Sequence, residues 1–170
     1  VRVANIMRLC RSRKNAKKML TGDCTPESLL EELNDKIALL QEHFSATYRA
    51  VLAEMERESI FVVNEKNLSE EQKEFCRSYF AQILSPRLVP LIIRKSVKLP
   101  FLPDGNSYLG VKMSHRDRRS VRYAVVRIPT SSACPRFVVL PSAAGRHDII
   151  FIDDIIRLMI DHIFFMFSYD

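Results

Sequence analysis

Apolar residues recur at steps of three or four along Leu29, Leu33, Ile37, Leu40, Phe44, Tyr48, Val51 and Met55. Glu31, Glu32, Asp35, Glu42 and Glu54 occupy the opposite face. The pattern predicts one long helix, with Thr25 as its N-cap, Pro26 at the first helical position and Glu27 in the first turn. At about 1.5 Å per residue such a helix runs on the order of 45 Å. It cannot bury its stripe alone, so other helices are expected to cover it.

Ahead of it, Val3, Ile6, Met7 and Leu9 sit at near-helical spacing, and Thr21-Gly22-Asp23-Cys24 forms a break. Ser59–Val63 is a short β-prone run. Ser69-Glu70-Glu71-Gln72 predicts a capping box, in which the serine and the glutamine each satisfy the other's backbone N–H. The helix it opens carries Phe75, Tyr79, Phe80, Ile83 and Leu84 on one face and is expected to stop at Pro86.

From Leu99 to Pro141 the period changes. Tyr108, Leu109, Val111 and Met113 read as one strand, Val121, Tyr123, Val125 and Ile128 as the returning strand, and Phe137–Leu140 as a third, proline-bounded one. Together they are expected to form one antiparallel β unit. Ile149–Ile152 leads into a last helix, from Asp153 or Asp154 to about Phe167, with Ile155, Ile156, Met159 and Ile163 on its apolar face. The fold class expected is α+β. A helical segment of long antiparallel helices occupies residues 1–58, and an α/β domain with a small antiparallel sheet follows over residues 59–170.

Composition adds limits. A chain with 47% hydrophobic and 27% charged residues fits an ordinary globular protein, and its most apolar stretch, Ile149–Phe167, is broken by Asp153, Asp154, Arg157 and Asp161. No membrane span is expected. Four scattered cysteines without a CxxC pair point to a reduced, cytoplasmic protein. The chain starts at Val1 without a methionine, which is read as a fragment of a longer chain.

The net charge of +6 conceals segregation. Residues 1–20 carry seven basic side chains and no acid, residues 26–74 twelve acids against five bases, and residues 75–147 thirteen bases against Asp104 and Asp117. Arg8, Arg11, Lys14 and Lys18 lie at helical steps, while Arg116, Arg118, Arg119 and Arg122 crowd the hairpin turn. Such clusters suit phosphate-rich ligands, because each contact is electrostatic. Arg8, Arg11, Arg116, Arg118, Arg119 and Arg122 are therefore the candidate anion contacts, with a solvated basic surface as the alternative.

Catalytic patterns fail when tested. His115-Arg116-Asp117 resembles a protein-kinase catalytic loop, but Arg122 stands where that loop needs an asparagine. Helix capping accounts for Asp153 and Asp154, so with Asp161 and His162 they are not assigned to a metal. Cys134 has no His or Lys close in sequence to activate it. No catalytic, cofactor-binding or metal-ligating residue is expected.

Four segments carry a family resemblance, Val1-Arg2-Val3-Ala4, Ile83–Leu91, Leu99-Pro100-Phe101-Leu102-Pro103 and Pro135-Arg136-Phe137-Val138-Val139-Leu140-Pro141, and the Ile60–Asn64 run fits with them. In this order and spacing the chain resembles the N-terminal helical and head domains of the bacterial polyphosphate kinases. Arg94-Lys95 departs from the Asp-Pro turn common at that point. The resemblance implies a parent enzyme that moves the terminal phosphate of ATP onto polyphosphate, reversibly and with Mg²⁺, through a phosphohistidine. It implies that His43, His115, His147 and His162 are not that histidine. Dimerisation through the head domain and lining of the ATP site are the implied roles, and the isolated fragment should be inactive and bind no cofactor. Two rivals stand beside it, a basic nucleic-acid-binding module and a purely structural dimerisation domain. No basic strand studded with aromatics supports the first.

Overall fold

The structure is a computed structural model, and it describes residues 2–11, 24–93, 101–114 and 121–165. Arg116, Arg118 and Arg119 lie outside the described residues, as do Lys14 and Lys18. The chain divides into two units, Val1–Glu54 and Met55–Asp170.

The first unit holds helix α1 (Arg2–Cys10) and most of helix α2 (Pro26–Arg57). The start of α2 follows the predicted cap. The Ser28 amide donates to Thr25 Oγ1 at 3.2 Å, the Leu29 amide donates to the Thr25 carbonyl at 3.0 Å, and Pro26 is buried. Among the described residues the apolar stripe is covered only in part, with Leu29, Leu33 and Met55 half-buried. Ile37, Leu40, Phe44, Tyr48 and Val51 are all exposed, Phe44 and Leu40 to more than 60%. Phe44 and Tyr48 stack on each other one turn apart, with ring centroids at 6.2 Å. At the end of α2, Ser59 turns the chain with a φ of 61°, and its amide donates to the Glu56 carbonyl at 3.0 Å.

The second unit opens with strand β1 (Ile60–Val63) and helix α3 (Glu70–Tyr79). The capping box is complete, since the Gln72 amide donates to Ser69 Oγ at 3.2 Å and the Ser69 amide donates to Gln72 Oε1 at 3.1 Å. Beyond Tyr79 the helix widens into a π turn (Phe80–Leu84) and then tightens into a 3₁₀ turn (Ser85–Arg87). Phe80 and Leu84 are both buried. Pro86 sits inside the 3₁₀ turn, where its missing N–H is not needed.

The expected single β unit is corrected to two three-stranded sheets. Strands β3 (Tyr108–Ser114) and β4 (Val121–Arg127) pair antiparallel as predicted. Their third partner is β2 (Pro90–Ile93), a strand the sequence reading did not assign, which pairs antiparallel with β4. Strand β5 (Phe137–Val139) instead joins the other sheet, in the order β1-β6-β5. Its centre, β6 (His147–Phe151), runs parallel to β1 and antiparallel to β5, so this sheet is mixed. The stretch before the last helix is thus a central strand, paired on both edges, with Asp148 and Ile150 buried.

The last helix also differs from the expectation. It is divided at Met159 into α4 (Ile152–Leu158) and α5 (Ile160–Phe164). Ile150, Ile152, Ile155 and Ile156 are fully buried against Leu84, Cys76, Val126 and Cys134, which makes one core of the two sheets and the α3–α4 helices. Each such aliphatic side chain contributes about 1.5–3 kcal/mol by leaving water.

Candidate functional site

Alternation decides which residues of β2-β4-β3 reach solvent. Ile92, Ala124 and Val111 are matched across the sheet, as are Pro90, Val126 and Leu109, and these two rows face the core. The next rows, Leu91 with Val125 and Gly110, and Tyr108 with Arg127, therefore face outward. Arg122 pairs with Met113 and is exposed, and it is held by contacts of its own. Arg8, in the last turn of α1, and Arg11, just past it, are exposed in the first unit. The described part of the predicted cationic set thus falls on two units.

Two cavities in the second unit carry other arginines, and Tyr108 lines both. The first, about 230 Å³, lies where the start of β3 meets the start of α4, and Ser107, Thr130, Arg136, Asp153 and Arg157 line it. Arg157 is saturated there. One of its Nη atoms reaches Asp154 and, at 3.5 Å, Glu65, while the other meets Asp153 at 3.4 Å. Asp154 is buried, and desolvation outweighs the guanidinium and pushes its carboxyl up to about 6, with Asp153 and Glu65 adding repulsion. Arg136 lies over the Phe151 ring at 5.8 Å.

The second cavity, about 280 Å³, lies on the outward face of β2-β4-β3 beside the loop at 101–103. Arg87 and Arg127 flank Val89, Leu91, Phe101 and Leu102. The loop is tied down, because Tyr108 Oη donates to the Pro103 carbonyl at 3.0 Å and Asn106 Nδ2 donates to the Pro103 and Asp104 carbonyls. Gly105 supplies the left-handed turn at φ 76°.

Arg87, Arg127, Arg136 and Arg157 do not stand out in the sequence, because none of them belongs to a run of adjacent bases. Only strand alternation around Arg127 held a usable signal. Cys134 is fully buried, which is unsuitable for an attacking thiolate, and burial pushes the Cys76 thiol up to about 11. Among the described residues no group of three His, Cys, Asp or Glu side chains could hold a metal ion, so Mg²⁺ is assigned no ligand here. No helix among the described residues is long and apolar enough to cross a membrane.

Comparison with known proteins agrees across three lines. The polyphosphate kinase middle domain matches residues 71–170. The polyphosphate kinase of Vibrio cholerae is 37% identical over 146 residues, which covers 84% of this chain and 20% of that protein. That of Escherichia coli K12 is also 37% identical over 146 residues, covering 84% and 21%. The solved structure of polyphosphate kinase from Porphyromonas gingivalis matches with a TM-score of 0.77 at 22% identity, over 100% of this chain and 24% of that one, and it shows the fold. The chain spans about a fifth of the length of these curated relatives. With the middle-domain match extending over more than half of its residues, the chain belongs to the polyphosphate kinase family.

Proposed function

We propose that this chain supplies the helical and middle-domain part of an ATP:polyphosphate phosphotransferase. The observation that carries the reading is the middle-domain match over residues 71–170, seconded by relatives named polyphosphate kinase. The role proposed for the chain is to line the ATP site and to hold substrate and partner subunit. Chemistry belongs to a histidine outside it, with Mg²⁺ entering alongside ATP. Arg8, Arg11 and Arg122, together with Arg116, Arg118 and Arg119, are proposed polyphosphate contacts, supported by the clustering of positive charge. The enzyme is proposed to work in the cytoplasm as a homodimer joined through the second unit.

The test compares the 170-residue chain with the product of its whole reading frame, each given ATP and Mg²⁺. Polyphosphate is expected from the whole product and not from the chain alone. A whole product that makes none would overturn the assignment. Neutralising the six arginines in the active enzyme should weaken polyphosphate binding and flatten its salt dependence. An unchanged salt slope would remove them from the site. Light scattering on the eluted protein tests the dimer, and a monomer at high concentration would count against it.

A further inference from the structure

The cavity of about 230 Å³ lies on the seam between the two sheets of the second unit. One wall belongs to β2-β4-β3. There the Ile128 amide donates to the Ser107 carbonyl at 2.9 Å, which sets Ser107 and Leu109 beside Ile128 and Thr130. The other wall belongs to β1-β6-β5 and the start of α4. There the Ile152 amide donates to the Arg136 carbonyl at 3.1 Å and brings Arg136 next to Asp153. A guanidinium and a carboxylate thus line one cavity, yet among the described residues they do not pair with each other.

Both groups keep capacity for a ligand. Arg136 enters no ion pair among the described residues, and its guanidinium lies over the Phe151 ring at 5.8 Å. Asp153 meets Arg157 through Oδ2 alone, at 3.4 Å, and its Oδ1 accepts no hydrogen bond from a described residue. Arg157 is the contrast, because Glu65 and Asp154 already answer its charge. The lining therefore offers one cation and one anion with no positive surplus, and a string of phosphates would be repelled by Asp153.

The rest of the lining narrows the ligand further. Ile128 and Ile152 are buried and Leu109 is half-buried, so part of the wall is aliphatic. A neutral hydrocarbon would cover that wall and leave both charges without partners. A simple carboxylate would satisfy Arg136 and then face Asp153. A zwitterion with an apolar tail pairs every group, through charge-assisted bonds at both ends. The volume lies below the roughly 300–1,000 Å³ typical of drug-sized ligands, which favours a small metabolite.

We propose that this cavity binds a free aliphatic α-amino acid, with its carboxylate on Arg136, its ammonium on Asp153 and its side chain against Leu109, Ile128 and Ile152. The site lies wholly within the second unit. It is argued from its own lining and does not rest on the phosphotransfer reading.

Calorimetric titration of the purified chain tests it, with L-leucine, leucinamide and 4-methylpentanoate as probes. The second lacks the carboxylate and the third the ammonium, so L-leucine should bind about tenfold more tightly than either. Arg136→Gln should weaken L-leucine by about tenfold and erase its advantage over leucinamide. Asp153→Asn should erase the advantage over 4-methylpentanoate instead. Arg136 is exposed, so its variant should keep the wild-type circular dichroism and carries the test even where Asp153→Asn disturbs α4. Tripolyphosphate should not displace L-leucine. Four results overturn the proposal: no L-leucine binding, equal affinity for all three probes, indifference to Arg136→Gln, or displacement by tripolyphosphate. Polyphosphate synthesis by the whole product can succeed while any of these occurs, so the two readings fail separately.

Discussion

Replacing Gln72 by alanine should be among the most damaging single changes in the second unit. Its side chain is buried and makes three hydrogen bonds at once. Oε1 accepts from the Ser69 amide at 3.1 Å, while Nε2 donates to Asp148 Oδ2 at 2.8 Å and to the Pro141 carbonyl at 3.0 Å. Asp148 is itself buried, and it keeps Arg146 Nε at 2.8 Å, with that guanidinium 4.0 Å from the centre of the Phe61 ring. Truncation removes half of the capping box, worth about 0.5–1 kcal/mol. It also removes a bond to a carboxylate, worth about 1.5–3 kcal/mol, and strands a carbonyl at a cost of about 1–3 kcal/mol. With partial relaxation the loss should be about 3–5 kcal/mol, a large share of the roughly 5–15 kcal/mol that holds a domain together.

Urea unfolding followed by circular dichroism measures this loss. With a slope of about 1–3 kcal/mol per molar urea, the midpoint should fall by more than about 1 M. Gln72→Glu separates charge from shape, because it keeps the cap acceptor and sets a second carboxylate against Asp148. That variant should be strongly destabilised at neutral pH and recover partly in mild acid, where the pair can share a proton. A Gln72→Ala midpoint within about 0.3 M of wild type at unchanged slope would refute the reasoning. So would a pH-indifferent Gln72→Glu.

Three further outcomes follow from the same structure. Because burial raises the Asp154 carboxyl to about 6 in the folded state, its contribution is whole below the unfolded value of 3.8 and is lost as pH rises through 6. Asp154→Asn should flatten that decline, on the order of 3 kcal/mol, in midpoints taken across the range, and an unaltered pH profile would contradict it. Ser59→Gly should raise thermal stability by about 1 kcal/mol, because glycine adopts the positive φ of that turn without strain, and no gain on heating would argue against strain there. Ile155→Ala, at a fully buried site, should cost about 2–5 kcal/mol in chemical unfolding, and a loss under about 1 kcal/mol would mean the cavity collapses freely.

What the chain determines by itself is local. Residues three or four apart on a helix meet whatever the rest of the fold does, so the limits of α2, the Thr25 cap and the Ser69–Gln72 box were legible. The β3–β4 pair was legible for the same reason, since only a short segment separates its strands. Tertiary structure alone decided which strands share a sheet. β1 meets β6 across more than eighty residues, and β2 is claimed by β4 because its outer and inner rows fit the same face. A short apolar run such as Ile149–Ile152 suits a helix entrance or a central strand equally, and only the pairing of its edges chooses between them. The candidate residues divide in the same way. Adjacent arginines advertise themselves in the sequence, whereas Arg87 and Arg127 become neighbours only when β2 and β4 are laid side by side. Gln72 shows both levels in one side chain. Its cap bond spans three residues and follows from helix geometry, while its bond to Asp148 spans seventy-six and exists only because the sheet brings β6 against α3.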